Sequence, residues 1–202
     1  KSEHVARVID VGKLENGAPF MVMEFLNGKD LADTIEHQGA LPWPAAVEYV
    51  LQACEALAEA HAAGIVHRDL KPANLFLIQR ADGSPCIKVL DFGISKMVGS
   101  LSMPGMTKTT AVMGSPLYMS PEQMKSSKDV DHRTDIWSLG SILYELLSGN
   151  PPFIDDTMPQ LCLMILQDPL PPITQLRHDV PIQLEHVIRR CQEKDPNQRF
   201  QN

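Results

Sequence analysis

The start of the chain alternates between apolar and polar positions in the manner of two short strands. Residues 5–11 are rich in β-branched side chains, an Asn-Gly pair at 16–17 is a strong turn signal, and residues 20–25 form a second apolar run. This pattern predicts a β-hairpin. Asp30 then stands where a helix N-cap is expected, and Gly39 where that short helix would end.

Further along the chain the apolar positions take on helical spacing. From Pro44 they recur every three or four residues until Gly64, with glutamates between them, which predicts a long amphipathic helix. Proline at the start and glycine after the end are typical of helix boundaries. Short apolar runs at 75–78 and 87–90 predict two small strands joined by a turn.

The second half of the chain is predicted to be mainly helical. Residues 97–115 show no periodicity and predict a long loop. Residues 136–147 are apolar on nearly all helix faces, which predicts a buried helix ended by Gly149. Two shorter helical patterns follow at 160–167 and 182–191. A small strand-containing part followed by a helix-rich body indicates an α+β fold.

Composition and charge narrow the class of protein. The chain has 202 residues, 44% of them apolar and 21% charged, which is enough for one sizeable core. A formal charge of −7 argues against a surface that binds nucleic acid, and no apolar run is long enough to span a membrane. Four cysteines without a CxxC pair are typical of reduced thiols. We therefore expect a cytoplasmic location, with any membrane anchor of the full-length protein outside this segment.

Three short motifs carry the candidate chemistry. They read HRDLKPAN at 67–74, DFG at 91–93 and SPE at 120–122. In order and spacing they resemble the catalytic loop, the metal-binding motif and the Ala-Pro-Glu motif of protein kinases. Over essentially all 202 residues, the chain resembles a Ser/Thr protein kinase of the bacterial eukaryotic-like group. The resemblance implies a protein-kinase-like α+β fold.

The residue types in these motifs suit phosphoryl transfer. The transition state is loose, so the protein contributes mainly positioning and charge neutralisation. Asp69 is the candidate acceptor of the hydroxyl proton, and Lys71 the cation beside the moving phosphoryl group. Asn74 and Asp91 offer the oxygen ligands that Mg²⁺ prefers. By the resemblance, Lys71 next to Asp69 favours Ser and Thr acceptors over Tyr.

The resemblance also implies a nucleotide site near the hairpin. It makes Met23 the gatekeeper, and Glu24 to Leu26 the hinge whose backbone pairs with adenine. Asp30 falls where an acidic side chain meets the ribose, and Phe76 where an apolar side chain covers one face of adenine. ATP is thus the implied cofactor, with Mg²⁺ or alternatively Mn²⁺. Ordinary core packing is the alternative interpretation of Met23 and Phe76.

Regulatory positions are implied in the same way. Thr107 and Thr109 match positions that are phosphorylated in the bacterial group, and Arg68 offers a guanidinium for such a phosphate. Two copies of the kinase would then phosphorylate each other as a homodimer. An ordinary polar loop is the alternative. Ser115 stands where the family has a Thr that contacts the catalytic Asp.

Other motif positions are implied to hold the structure together. Asp135 matches the Asp that holds the backbone of the catalytic loop. Glu122 is expected to pair with Arg199, and removal of either residue would leave the other charge buried without a partner. We expect the histidine of the catalytic loop to be a packed core residue rather than a base. An apolar stack is also implied, formed by His67, Phe92 and Val8.

The resemblance divides the chain into two parts. Residues 1–27 correspond to small-lobe strands and the hinge, and residues 28–202 to the large lobe without its last helix. The sequence has neither a Gly-rich loop nor a strand Lys of the Val-Ala-Ile-Lys type. We therefore interpret the chain, which opens on Lys1, as a piece that is inactive by itself. The complete protein is expected to phosphorylate Ser and Thr of protein substrates with ATP, without binding nucleic acid.

Two other functions remain open at this stage. A pseudokinase or scaffold would bind partner proteins without turnover, although the intact Asp69, Asn74 and Asp91 argue against it. A small-molecule phosphotransferase of the same fold is the second alternative. The SPE motif and the threonine-containing segment before it favour a protein substrate.

Overall fold

A computed structural model describes residues 2–92, 116–125 and 130–202. Strands β1 (Val8–Lys13) and β2 (Pro19–Met23) form an antiparallel hairpin. Gly17 in its turn has a φ of 83°, a left-handed conformation that glycine adopts without steric cost. The hairpin predicted from the apolar alternation and the Asn-Gly pair is therefore confirmed.

A second antiparallel sheet follows the hairpin. Its strands, in sheet order, are β3 (Gly28–Asp30), β4 (Leu75–Gln79) and β5 (Pro85–Val89). The sequence pattern did not predict β3, because its three residues are too few to show an alternation. A Cβ at Gly28 would collide with the carbonyl of Leu77, so glycine permits the close approach of β3 to β4.

Helices make up most of the remaining described chain. Asp30 caps α1 by accepting the N–H of Asp33 at 2.9 Å, and Gly149, at φ 84°, ends the long buried helix. Within the described ranges, no helix is long and apolar enough to cross a membrane. The helices are α1 (Leu31–Gln38), α2 (Trp43–Ala62), α3 (Pro121–Lys125), α4 (Arg133–Ser148), α5 (Met158–Gln167), α6 (Ile173–Leu176) and α7 (Ile182–Cys191).

The core surrounds α4, which is buried on almost every face and packs against α2 and α7. A Cβ at Gly140 would lie 2.6 Å from the Cβ of Cys191, so glycine at this position allows α7 to approach closely. The side chain of Gln192 adds a hydrogen bond, since its Nε2 donates to the carbonyl of Trp137 at 2.7 Å. This helical body is the rigid support on which the motif residues lie.

The segment ahead of the hairpin connects it to the second sheet. Val5 forms a parallel bridge with Val89 of β5, in which Ala6 N–H donates to Val89 O (3.1 Å) and Val89 N–H donates to His4 O (2.7 Å). His4 is buried, and its Nδ1 lies 2.9 Å from the carbonyl of Ile87. The base of the hairpin is thus fixed, whereas its strands project away from the core.

Candidate active site

Two backbone hydrogen bonds attach the catalytic loop to a buried carboxylate at the start of α4. The N–H of His67 donates to Asp135 Oδ2 (2.9 Å), and the N–H of Arg68 donates to Oδ1 (2.8 Å). Asp135 is fully buried. Arg68 has a φ of 66°, a conformation that costs about 1–3 kcal/mol for a non-glycine residue and persists only where surrounding contacts hold it. The two hydrogen bonds to Asp135 supply such contacts.

A histidine from α2 reaches the same carboxylate. His61 Nε2 lies 2.8 Å from Asp135 Oδ2 and donates to it, so that this oxygen receives two hydrogen bonds. His61 belongs to none of the sequence motifs. Its partner is 74 positions away in sequence, and no spacing rule connects the end of one helix to the start of another.

The histidine of the catalytic loop is a structural residue, as expected. His67 is fully buried, accepts the N–H of Asp69 at Nδ1 (3.3 Å) and therefore donates from Nε2 to Leu90 O (2.8 Å). Its ring lies 5.2 Å from that of Phe92 in a tilted arrangement. Val8, which was expected to complete this stack, lies instead on β1 opposite Met23 and is 43% exposed.

The candidate reacting groups lie on two adjoining segments. Lys71 Nζ is 3.5 Å from Asp69 Oδ2, and both side chains are partly open to solvent. Asn74 is buried and donates from Nδ2 to the carbonyl of Asp69 (2.8 Å), a contact that does not use its amide oxygen. The N–H of Leu90 donates to Asn74 O (2.9 Å), which brings the exposed Asp91 next to this loop.

The side chain of Gln123 contacts the same loop from α3. Its Nε2 donates to the carbonyl of Arg68 at 2.8 Å, and its Oε1 accepts from Thr134 Oγ1 at 2.7 Å. In the sequence this residue stood out only as the position after the SPE motif. Its contact with the loop spans 55 positions and has no linear signature.

The implied nucleotide residues lie at the junction of the two sheets. Met23 and Leu26 are half-buried, and Asp30 pairs with Phe76 across β3 and β4. Glu24 Oε1 accepts the N–H of Arg7 (2.8 Å) and lies 3.2 Å from Lys88 Nζ. The hydrogen bond from the Arg7 backbone, followed by the contact with Lys88, lowers the pKa of Glu24.

Comparison with known proteins agrees with this geometry. The model of the protein kinase domain family matches residues 1–201. The chain belongs to the protein kinase family. It is 37% identical over 201 residues to serine/threonine-protein kinase PknB of Mycobacterium leprae and 40% identical over 195 residues to serine/threonine-protein kinase pkn3 of Myxococcus xanthus. These alignments cover 98% and 95% of the chain but 31% and 36% of the relatives, so the chain spans about a third of their length.

Solved kinase structures share the fold. The Rad53 1–466 structure in complex with AMP-PNP superimposes with a TM-score of 0.80 at 27% identity, covering 98% of this chain and 48% of that one. The structure of the Rad53 kinase domain and SCD2 with AMPPNP gives 0.77 at 26% identity, with coverages of 99% and 70%. The predicted protein-kinase-like α+β fold and the resemblance to bacterial Ser/Thr kinases are both confirmed.

In this kinase chain the structure also brings Glu122 and Arg199 together. Arg199 Nη1 and Nη2 donate to the two carboxylate oxygens at 2.7 and 2.8 Å. The guanidinium is buried and donates further to the carbonyls of Glu193 (2.8 Å) and Arg133 (3.0 Å). The pair fixes α3 to the start of α4 and to the end of the described chain, close to the catalytic loop.

Several motif residues lie outside the described part of the kinase chain. These are Gly93, Thr107, Thr109 and Ser115. Among the described residues, no group of three His, Cys, Asp or Glu side chains could hold a metal ion. The two candidate metal ligands from the sequence motifs, Asn74 and Asp91, both lie within the described residues.

Proposed function

We propose that this chain carries the catalytic centre of an ATP-dependent protein kinase that phosphorylates Ser and Thr hydroxyls. The proposal rests on the position of Asp69, which the loop holds between Lys71 and Asn74. The side chain of Lys71 lies 3.5 Å from the carboxylate, and Asn74 donates to the backbone carbonyl of the same residue. The relatives that the chain matches are named serine/threonine-protein kinases.

Each group has a distinct role in the proposed reaction. Asp69 accepts the proton of the attacking hydroxyl, which raises its nucleophilicity as the bond to phosphorus forms. Lys71 places a positive charge beside the transferred phosphoryl group. Asp69 and Lys71 are both partly exposed, so a substrate hydroxyl can approach them from solvent. A held geometry of this kind accounts for much of the rate enhancement in phosphoryl transfer.

The oxygens of Asn74 and Asp91 fit a magnesium ion. Because Asn74 uses its Nδ2 on the loop backbone, its amide oxygen is left for a cation, and the Asp91 carboxylate is exposed beside it. Mg²⁺ commonly takes one or two protein oxygens together with waters and phosphate oxygens, and Mn²⁺ accepts the same donors. When bound, the ion neutralises phosphate charge.

The hinge and the paired strands support the proposed ATP site. The backbone of residues 24–26 would pair with adenine, with Met23 as gatekeeper behind it. Phe76 would cover one face of the base, and the neighbouring Asp30 would meet the ribose. Their pairing across β3 and β4 puts these two side-chain positions on adjacent strands.

Regulation by autophosphorylation is a further part of the proposal. Thr107 and Thr109 would receive phosphate from a second copy of the kinase, and Arg68 would bind it. The Arg68 guanidinium donates to Val130 O at a long 3.4 Å, a weak contact that a phosphate could replace. Mass spectrometry after incubation with Mg-ATP should find phosphate on this segment. An unmodified segment in fully active protein would contradict the switch.

Phosphotransfer by the full-length protein tests the catalytic assignment. We expect Asp69→Asn to lower the rate by about 10²–10⁴-fold while ATP affinity is kept, since only proton acceptance and orientation are lost. Asp91→Ala should abolish Mg²⁺-dependent nucleotide binding. Asp82→Asn is the matched control, because this exposed carboxylate lies in the β4–β5 turn and bonds to Ser84 in the same turn. Near wild-type rates for Asp69→Asn would contradict its role as proton acceptor, and nucleotide binding without turnover in the wild type would favour a scaffold.

We also propose that the 202 residues alone are a poor catalyst. In kinases a Gly-rich loop and a strand Lys hold the ATP phosphates, and this sequence contains neither motif. Titration calorimetry with Mg-ATP and a phosphotransfer assay, run on this chain and on the full-length protein, compare the two. Micromolar binding with clear turnover by the shorter chain would contradict the proposal.

A further inference from the structure

The peptide that joins Arg68 to Asp69 is held at both of its polar atoms. Its carbonyl, on Arg68, accepts from Gln123 Nε2 at 2.8 Å. Its N–H, on Asp69, donates to the buried His67 Nδ1 at 3.3 Å. A peptide group is planar, so fixing both atoms fixes the plane from which the Asp69 side chain departs. Arg68 has a left-handed φ of 66°, so the local backbone would relax without such contacts.

The orientation of the Gln123 amide is determined by its other partners. Its Oε1 accepts from the backbone N–H of Ser120 at 3.0 Å, and a backbone N–H can only donate. The amide oxygen must therefore face Ser120, and the amide nitrogen must face the Arg68 carbonyl.

The hydroxyl of Thr134, on α4, strengthens this arrangement. It donates to Gln123 Oε1 at 2.7 Å, and the hydroxyl of Ser120 lies 2.7 Å from Thr134 Oγ1 and 3.3 Å from the same amide oxygen. Thr134 and Ser120 are both fully buried. A buried chain of oriented hydrogen bonds thus ends at the catalytic loop.

We infer that Gln123 is a positioning residue for phosphotransfer. It fixes the peptide plane ahead of Asp69 and thereby the direction of the carboxylate that accepts the proton. It also connects the SPE segment to the catalytic loop, so that the arrangement of one depends on the other. The inference rests on the proposed kinase function.

The substitution Gln123→Glu tests this role with almost no change of shape. It keeps an oxygen for Ser120 and Thr134 but replaces the donor by a carboxylate oxygen facing the Arg68 carbonyl. In the full-length protein at about pH 8, we expect kcat to fall about ten- to hundredfold, because small misplacements of a catalytic group are costly. KM for ATP should stay within about twofold, since the nucleotide residues lie elsewhere.

The pH dependence of this variant separates positioning from simple destabilisation. Partial burial and the facing carbonyl oxygen of Arg68 disfavour the charged form of the introduced carboxylate and raise its pKa. As the pH falls towards about 6, a growing fraction therefore carries a proton, and its O–H can donate to the Arg68 carbonyl. The ratio of wild-type to variant kcat should therefore shrink. Gln123→Leu, which has no donor at any pH, should show the loss of kcat without this recovery.

Gln52→Glu is the matched control. Gln52, on α2, also donates from Nε2 to a backbone carbonyl (Pro85, 3.3 Å) and accepts a backbone N–H (Ile87, 2.7 Å). Its Nε2 donates to Glu48 Oε1 as well (2.8 Å), and these partners are not residues of the catalytic loop. The Gln52→Glu substitution should lower the Tm of the protein and leave its kcat unchanged. Wild-type kcat in Gln123→Glu at about pH 8, or a loss that is equal at both pH values, would overturn the inference while wild-type activity stands. A wild-type protein without phosphotransfer would overturn the proposed function and this inference with it.

Discussion

The hairpin and the helical body contain similar apolar side chains but bury them very differently. Val11 and Ile9 on β1 are 64% and 61% exposed, whereas Leu146 on α4 is completely buried. The difference is that α4 has α2 and α7 packed around it, while β1 and β2 pair in a sheet of two strands. Burial is therefore set by the presence of a second layer and not by the apolar pattern of a single element.

The candidate catalytic residues are attached to the helical body, whereas the hinge adjoins the hairpin. Asp69 and Asn74 belong to a loop whose backbone is bonded to the buried Asp135 of the helical body. The hinge follows the hairpin directly, and Glu24 holds it through a backbone hydrogen bond to Arg7 O and through its side chain, which bonds to Arg7 N–H and Lys88. We therefore expect substitutions in the body to disturb both stability and the loop, and substitutions around the hinge to have smaller effects.

The largest effect is expected at the carboxylate that joins the loop to the body. Asp135→Ala leaves the buried N–H groups of His67 and Arg68 without an acceptor, so the free energy of unfolding should fall by about 3–5 kcal/mol. Asp131→Ala removes a partly exposed carboxylate paired with Arg133 and should cost less than about 1 kcal/mol. Denaturant unfolding measures both, and equal losses would contradict the role of Asp135.

A pair of core and hairpin truncations tests the two regions directly. Leu146→Ala opens a cavity in a closed core and should cost about 2–5 kcal/mol, whereas Val11→Ala should cost less than about 0.5 kcal/mol because the side chain is already in water. The free energies of unfolding by denaturant decide between them. A loss at Val11 as large as that at Leu146 would mean that another part of the protein covers the hairpin.

The smallest effect concerns the hinge and depends on pH. The pKa of Glu24 is lowered in the folded protein, so the ionised carboxylate stabilises the fold above the ordinary Glu pKa of about 4.3, and this stabilisation is lost as pH falls through the lowered value. Glu24→Gln should therefore be less stable than the wild type at neutral pH and should match it near pH 3. A difference that does not change with pH would exclude the ionised carboxylate, with its bonds to Arg7 and Lys88, as its cause.

The sequence predicted those features that depend on neighbouring positions. The hairpin turn at Gly17, the cap at Asp30 and the helix end at Gly149 all follow from local rules, and the catalytic residues lie within short motifs. Strand β3 was missed because three residues give no alternation and its partner strand lies far along the chain. The same reason explains His61 and Gln123, whose partners are 74 and 55 positions away.

Hydrogen exchange of this chain measures most directly whether the catalytic loop is held by the helical body. The amides of His67 and Arg68 donate to a fully buried carboxylate, so we expect them to exchange about as slowly as those in the centre of α4. The ladder amides of β1 and β2 should exchange at least about a hundredfold faster, because a two-stranded sheet opens readily. Exchange of the His67 and Arg68 amides as fast as that of the hairpin would contradict the attachment of the loop to the body.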